Sequence, residues 1–221
     1  MKKNGIILFT IVSLAGGACG GPSVDINAVP EPLQDLQIST GSSHQSAVFA
    51  GGCFWCVEAV YEQVEGVIDV VSGYAGGKPE DAIYRSVSSG ETDHAEAIRI
   101  AYDPNRITYG KLLKVFFAVA HDPTQLNRQG PDIGRQYRSA IFYENDEQKQ
   151  VAKAYFRQLE EAKVFDRAVV TTLEPLEEFF PAEPTHQNFV HLNPNHPYVR
   201  QHALPKVRKV RKHFAHRVRE Q

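Results

Sequence analysis

The chain has 221 residues, with 24 Lys plus Arg against 26 Asp plus Glu and a formal net charge of −2. Hydrophobic residues at 42% and charged residues at 23% are the balance of an ordinary folded protein, which excludes a disordered chain, a collagen and a polytopic membrane protein. The near-neutral charge argues against a nucleic-acid binder held by bulk electrostatics, and three Cys are too few for a disulfide scaffold.

In chain order, Lys2 and Lys3 precede an apolar run over residues 6–14 and the small residues Ala15-Gly16-Gly17-Ala18. A charged start, a short apolar run and a small-residue end predict a secretory signal over residues 1–18, too short to span a bilayer comfortably. Cys19 directly after Ala18 resembles a bacterial lipobox, which predicts lipidation of Cys19 and a membrane anchor. Gly16 stands where such boxes usually carry Leu, so ordinary signal-peptidase cleavage after Ala18 remains the alternative. Either reading places the mature chain outside the cytoplasm, in the cell envelope or periplasm. Residues 19–46, with Gly20-Gly21-Pro22, Pro30-Glu31-Pro32 and Gly41-Ser42-Ser43, lack sustained apolar periodicity and predict a flexible tether. One domain is expected over 47–221.

Ala47-Val48-Phe49-Ala50 predicts a strand ending at Gly51-Gly52. Val57, Val60, Tyr61 and Val64 recur at helical spacing, with Gly66 as a stop. Residues 67–74 read as a β-branched strand before Gly76-Gly77, and residues 95–102 alternate up to Asp103-Pro104. Thr108 suits the cap of a helix carrying Leu112, Val115, Phe116 and Val119. A polar loop over 121–136 leads to a strand at 139–143, a helix at 146–163 and a strand at 168–173. The order of elements, with a βαβ unit at the front, predicts an α+β fold, a two-layer α/β sandwich with a ferredoxin-like core. Residues 206–219 carry seven Lys or Arg and read as a solvated terminal helix, because the apolar face of Val207, Val210 and Phe214 is thin.

The junction at Gly51-Gly52 places Cys53 in the first turn of a helix. Unpaired N–H groups and the helix dipole there favour a thiolate, which predicts a lowered Cys53 pKa. Cys56 lies one turn on, within reach of a disulfide after modest adjustment, so the two thiols can run an attack-and-resolve cycle. A zinc knuckle needs about four ligands; His186 and His191 are the residues to recruit, and no metal is expected. A structural thiol pair and a thioredoxin-like dithiol are the other readings. Phe54-Trp55 between the cysteines suggests a small apolar pocket rather than a surface for protein disulfides.

A longer series resembles the A-type peptide methionine sulfoxide reductases. It runs through Gly52-Cys53-Phe54-Trp55 with Glu58, Ser72-Gly73-Tyr74-Ala75-Gly76-Gly77, His94-Ala95-Glu96-Ala97 and Tyr102-Asp103-Pro104. It continues through His121-Asp122-Pro123-Thr124-Gln125, Asn127-Arg128-Gln129-Gly130, Asp132-Ile133-Gly134 and Gln136-Tyr137-Arg138-Ser139. The resemblance implies a sandwich around a mixed sheet, a monomer without metal or cofactor, and reduction of the S epimer of methionine sulfoxide, free or in peptides and proteins. It implies that Cys53 attacks the sulfoxide sulfur, that Tyr84 and Tyr137 donate to its oxygen, and that Asp132 supports the hydrogen bonds around the nucleophile. Phe54 and Trp55 would receive the substrate methyl group.

Glu96 would supply the proton. It shares a strand face with Ile98, Ile100 and Tyr102, and a carboxyl on an apolar face stays protonated near neutral pH. Glu58, one turn beyond Cys53, reads as a solvated helix charge. No Cys follows Cys56, which makes Cys56 the available resolver of a Cys53 sulfenic acid. A thioredoxin-like dithiol would reopen the disulfide, and export makes that an envelope protein.

Overall fold

The chain is described by a computed structural model covering residues 24–37 and 44–214. The expected signal over 1–18 and Cys19 lie outside these residues.

Strand β1 (Gln45–Gly51) leads through two glycines into helix α1 (Phe54–Tyr61) and strand β2 (Val67–Ala75). A short helix α2 (Tyr84–Ser88) precedes β3 (Ala95–Tyr102). Thr108 caps α3 (Tyr109–Val115) by accepting from Lys111 N, as its hydroxyl predicts, and the chain then widens into a π turn at Phe116–Ala120. The 121–136 loop folds into a two-stranded ribbon, β4 (Arg128–Gln129) against β5 (Asp132–Ile133). Strand β6 (Ser139–Tyr143), helix α4 (Asp146–Glu161), β7 (Thr172–Pro175), β8 (Phe179–Pro181), α5 (Phe189–Leu192) and α6 (Leu204–His213) complete the fold.

The larger sheet has the order β7-β6-β1-β3-β2-β8. β1 and β2 are each antiparallel to β3, which lies between them, so β1–α1–β2 is a split βαβ unit. β6 is antiparallel to β1, giving the ferredoxin-like order, and β7 is parallel to β6, making the sheet mixed. The α+β sandwich expected from the sequence is therefore present.

Alternation decides the two faces. Ile98 and Ile100 of β3 join Phe49 and the apolar residues of α1, α3 and α4 in the main core. The opposite parity carries small residues, Ala50, Ala75, Ala95, Ala97 and Ala140, with Phe142 and Phe179. Arg99 lies 4.9 Å from the Phe179 ring centroid and covers that face with its guanidinium.

Three expectations need correction. The strand expected at 168–173 pairs only from Thr172 onward, because the Val170 N–H is taken by the Pro123 carbonyl at 2.8 Å. The terminal helix is not simply solvated: Val207, Val210 and Phe214 are buried, and α6 packs on α1. Its long cationic stems left the apolar stripe looking thinner than the area they help to cover.

The tether is the third. Residues 24–37 form a strap across α3 and α4. Ile26 and Val29 are 6% and 1% exposed, and Asp35 accepts from Gly110 N at 2.9 Å and from the Thr108 hydroxyl. Tyr155 donates to the Pro30 carbonyl at 2.8 Å. Glu31 pairs with Lys111 and Lys114, and these two ammonium groups hold its carboxyl at about 2 against the opposing effect of burial. The prolines that suggested a linker set an extended path along which single apolar residues reach the core.

Fully burying Ile26 and Val29 contributes about 1.5–3 kcal/mol each in transfer terms. A chain beginning at His44 is expected to lose about 3 kcal/mol in urea unfolding relative to one beginning at residue 20. Equal midpoints with equal slopes would show that the strap adds nothing.

Candidate active site

β1 delivers the chain to a junction that only glycine satisfies. Gly52 has φ +86°, and a Cβ there would stand 2.4 Å from Gln129 Cβ. Gln129 cannot yield easily, because its side chain donates to the Asp122 carbonyl and accepts from Asp122 N. The sharp turn makes Cys53 the N-cap of α1, with Cys56 N and Val57 N pointing back to its carbonyl.

The free N–H of Phe54, in the first turn, donates to Glu96 Oε2 at 3.0 Å. β3 therefore brings its one inward carboxyl to the helix start beside Cys53. Glu96 is 2% exposed, and burial pushes its pKa up to about 8, with Asp132 adding to the rise and the Phe54 N–H opposing it. At neutral pH the group is a carboxylic acid.

Cys53 and Cys56 are both free thiols, 7% and 2% exposed, and they hydrogen-bond to each other. The expected lowering of the Cys53 pKa is not what this environment produces. Burial pushes the Cys53 thiol up, reinforced by Cys56 and Glu96. Cys56 is instead lowered to about 7, chiefly by the hydrogen bond from Cys53 and, against burial, by the Lys206 ammonium. The helix terminus favours charge at Cys53, but desolvation at a closed site outweighs it.

The hydroxyls of Tyr84 and Tyr137 come from the first residue of α2 and the 3₁₀ turn Arg135–Tyr137. Burial first, then the Glu96, Cys53 and Asp132 charges, hold both pKa values above the usual phenol range, so both remain donors. Asp132, on β5, accepts from the Tyr198 hydroxyl at 2.5 Å, and Cys56 Sγ lies 4.0 Å from that same hydroxyl. The structure thus gathers Cys53, Cys56, Glu96, Tyr84, Tyr137 and Asp132 around one centre.

Phe54 and Trp55 differ from each other. Phe54 is 1% exposed and forms the floor, stacked on Tyr84 at 6.4 Å between ring centroids. Trp55 is half-buried, with one face closed by Phe189 at 3.7 Å.

Three further residues join the site from the C-terminal region. His186 lies tilted 4.1 Å from Tyr84 and stacks 5.7 Å from Trp55, Phe189 covers Trp55, and Tyr198 meets the Trp55 ring at 6.1 Å. Each comes from a different short turn, so no periodicity marks them. The clue available was composition: His and aromatic residues interspersed with Asn and Pro. The segment is bolted down by Glu183, which accepts from Tyr84 N at 2.8 Å and Tyr74 Oη at 2.9 Å, and by Gln187, which bonds Ser72 N and O.

Glu58 is a correction. It is 1% exposed, accepts from Asn188 N at 3.1 Å, and burial raises its pKa to about 7. It anchors the start of α5, and with it Phe189, rather than facing solvent.

Residues 45–218 match the family model described as peptide methionine sulfoxide reductase. Peptide methionine sulfoxide reductase MsrA 2 of Synechocystis sp. is 54% identical over 195 residues, covering 87% of this chain and 91% of that protein. The MsrA of Deinococcus radiodurans is 49% identical, covering 81% and 86%. Among solved structures, reduced Mxr1 of Saccharomyces cerevisiae matches with TM-score 0.64 at 32% identity, covering 73% of this chain and 92% of that one. Methionine sulfoxide reductase A of Corynebacterium diphtheriae matches with TM-score 0.60 at 31% identity, covering 79% and 87%. With its fold and most of its length shared with these proteins, the chain belongs to the peptide methionine sulfoxide reductases of the MsrA type and is an oxidoreductase.

Proposed function

We propose that Cys53 is the nucleophile, Glu96 the proton donor and Cys56 the resolving thiol in reduction of methionine S-sulfoxide. The observation that carries this reading is the Glu96 carboxyl, buried and bonded to the amide of the residue following Cys53. A sulfoxide oxygen leaves only when protonated, and a neutral acid beside the attacking sulfur meets that need.

The proton arrangement supports a defined order of events. Cys56, the more acidic thiol, accepts the Cys53 proton as Cys53 Sγ attacks the sulfoxide sulfur. Glu96 protonates the oxygen, while Tyr84 and Tyr137 donate to it as negative charge develops. The S–O bond breaks and the oxygen leaves as hydroxide, giving a Cys53–methionine thiosulfonium and an ionised Glu96. That hydroxide then attacks Cys53 Sγ and breaks the S–S bond, leaving a Cys53 sulfenic acid and the methionine thioether. Cys56 then attacks the sulfenic sulfur, forming the Cys53–Cys56 disulfide and releasing water. Glu96 regains its proton from solvent. Trp55, framed by Phe189, His186 and Tyr198, receives the methyl end of the substrate. Asp132 accepts from Tyr198 and so positions the hydroxyl next to Cys56.

A thioredoxin-like dithiol reopens the disulfide. An export signal over 1–18 and lipidation at Cys19 support an enzyme of the cell envelope that repairs oxidised envelope proteins, with an envelope dithiol protein as donor, and the family resemblance supports a monomer. Donor-dependent turnover with purified envelope thiol proteins tests that placement, and rescue by none of them would discard it.

Cys53→Ser is expected to abolish reduction, including a single turnover. Cys56→Ser is expected to keep one turnover per enzyme and to lose recycling by a dithiol. Multiple turnovers with thioredoxin at the parent rate would remove Cys56 from the resolving role.

Glu96→Gln is nearly isosteric and is expected to slow sulfenic acid formation by about a hundredfold or more. With its pKa near 8, the parent single-turnover rate should fall as pH rises above that value, and the variant should lose this limb. The same shift sets a stability trend. A carboxyl raised from 4.5 to about 8 in the folded state stabilises fully below pH 4.5, and that contribution is lost as pH rises through 8. Glu58 acts in the same direction, so the readout is the difference between parent and Glu96→Gln unfolding across this window. Parallel stability curves would contradict a neutral Glu96.

A further inference from the structure

The cysteine pair also borders a cavity of about 520 Å³. It is bounded by the loop following Ala120, by residues 164–167 and by the 198–209 segment, and Val24 and Asp25 of the strap close one end. Of the residues gathered at the active centre, Cys53, Cys56, Asp132 and Tyr198 line it, whereas Trp55, Tyr84, Glu96, Tyr137 and His186 do not. Tyr198 stands on the boundary: its ring meets Trp55 at 6.1 Å, while its hydroxyl, bonded to Asp132, faces the thiols. Cys53 and Cys56 are thus approached from two sides, one aromatic and one lined by mixed charge.

The second approach bears on recycling. Thiol–disulfide exchange needs a thiolate to reach a sulfur, and here both cysteines are buried, at 7% and 2% exposure. A thiol carried on the convex surface of another protein reaches such sulfurs only after the surrounding segments move. A small molecule reaches them through the cavity, whose volume falls within the range of about 300–1,000 Å³ typical of small-ligand sites. Its walls carry both signs. Lys206 and Lys209 lie on α6, while Asp25 and Asp166 come from the strap and the loop after α4. Arg167 and Asp122 already pair with each other at 3.5 Å. Separated cations and carboxylates suit a ligand with a carboxylate at one end and an ammonium at the other.

We propose that this cavity binds a small zwitterionic thiol, a cysteine-containing peptide of two or three residues, as a second electron donor that reduces the enzyme from the side away from the sulfoxide. The proposal rests on the Cys53–Cys56 disulfide and adds to the protein dithiol. The donor thiolate attacks Cys53 Sγ, the S–S bond breaks, and Cys56 leaves as a thiolate beside Lys206 and the Tyr198 hydroxyl. A second donor thiol attacks the donor sulfur of the mixed disulfide, releasing Cys53. Two donor thiols become one donor disulfide, and the enzyme recovers both thiols.

The probe is glutathione, with uncharged 2-mercaptoethanol as control and the full-length enzyme throughout. Thiol counting after one sulfoxide turnover comes first: loss of two thiols establishes the disulfide, and loss of fewer would overturn that reading and this proposal with it. With the disulfide established, turnover is expected to saturate with glutathione, and a neutral methionine product, N-acetylmethionine amide, should inhibit noncompetitively against it. Lys209→Gln should raise the KM for glutathione about fivefold, the effect of roughly 1 kcal/mol from one partly exposed ion pair. The same variant should leave single-turnover sulfoxide reduction and the 2-mercaptoethanol rate unchanged. Gln201→Trp, which narrows the mouth, should slow recycling by both thiols while sparing the single turnover. Competitive product inhibition, absence of saturation, or an equal effect of Lys209→Gln on both thiols would overturn the cavity assignment while leaving the disulfide intact.

Discussion

One buried carboxyl organises this molecule. Glu96 sits on the apolar face of β3, and its carboxyl accepts a hydrogen bond from an amide at the start of α1. Burial alone would make an ionised carboxylate costly there, so the group remains protonated. That single constraint ties the central strand to the helix that carries the cysteines, and it sets an uncharged proton source beside sulfur. A surface carboxylate could do neither.

The two thiols follow from the same enclosure. A helix start in open solvent would ionise the first cysteine. In this closed site desolvation raises the Cys53 thiol, while the hydrogen bond from Cys53 and the Lys206 ammonium lower Cys56. The pair is then arranged so that one sulfur takes the proton of the other during attack and can later leave as a thiolate during reduction. Segments remote in sequence supply this environment: α6 brings Lys206, and the residues around Asn188 and Tyr198 supply aromatic walls. Their anchoring to Glu58, Glu183 and Gln187 explains why Glu58 is buried where a helical pattern alone would leave it in solvent.

The parts legible in the sequence were those governed by local pattern. Alternation marked β3 with the correct bounds and showed the face on which Glu96 lies. The Gly51-Gly52 pair marked the turn, and Thr108 marked a helix start that the structure contains. What depended on distant partners was hidden. The strap looked like a linker because its contacts are single side chains spaced by prolines, Ile26, Val29 and Asp35, with no period to detect. Glu58 looked solvated because its burial depends on Asn188, 130 residues away. His186, Phe189 and Tyr198 join the site through three separate turns, so only the fold reveals them. The direction of the Cys53 shift was misjudged for a related reason: the sequence shows the helix start but not the burial that opposes it.

The most direct test of this account is the protonation state of Glu96 in the resting enzyme. Infrared difference spectra of protein labelled with carbon-13 glutamate, comparing parent with Glu96→Gln, isolate its carboxyl stretch. A neutral carboxylic acid band at pH 7 that titrates near 8 is the predicted result. A carboxylate band at pH 7, titrating near 4.5, would contradict it.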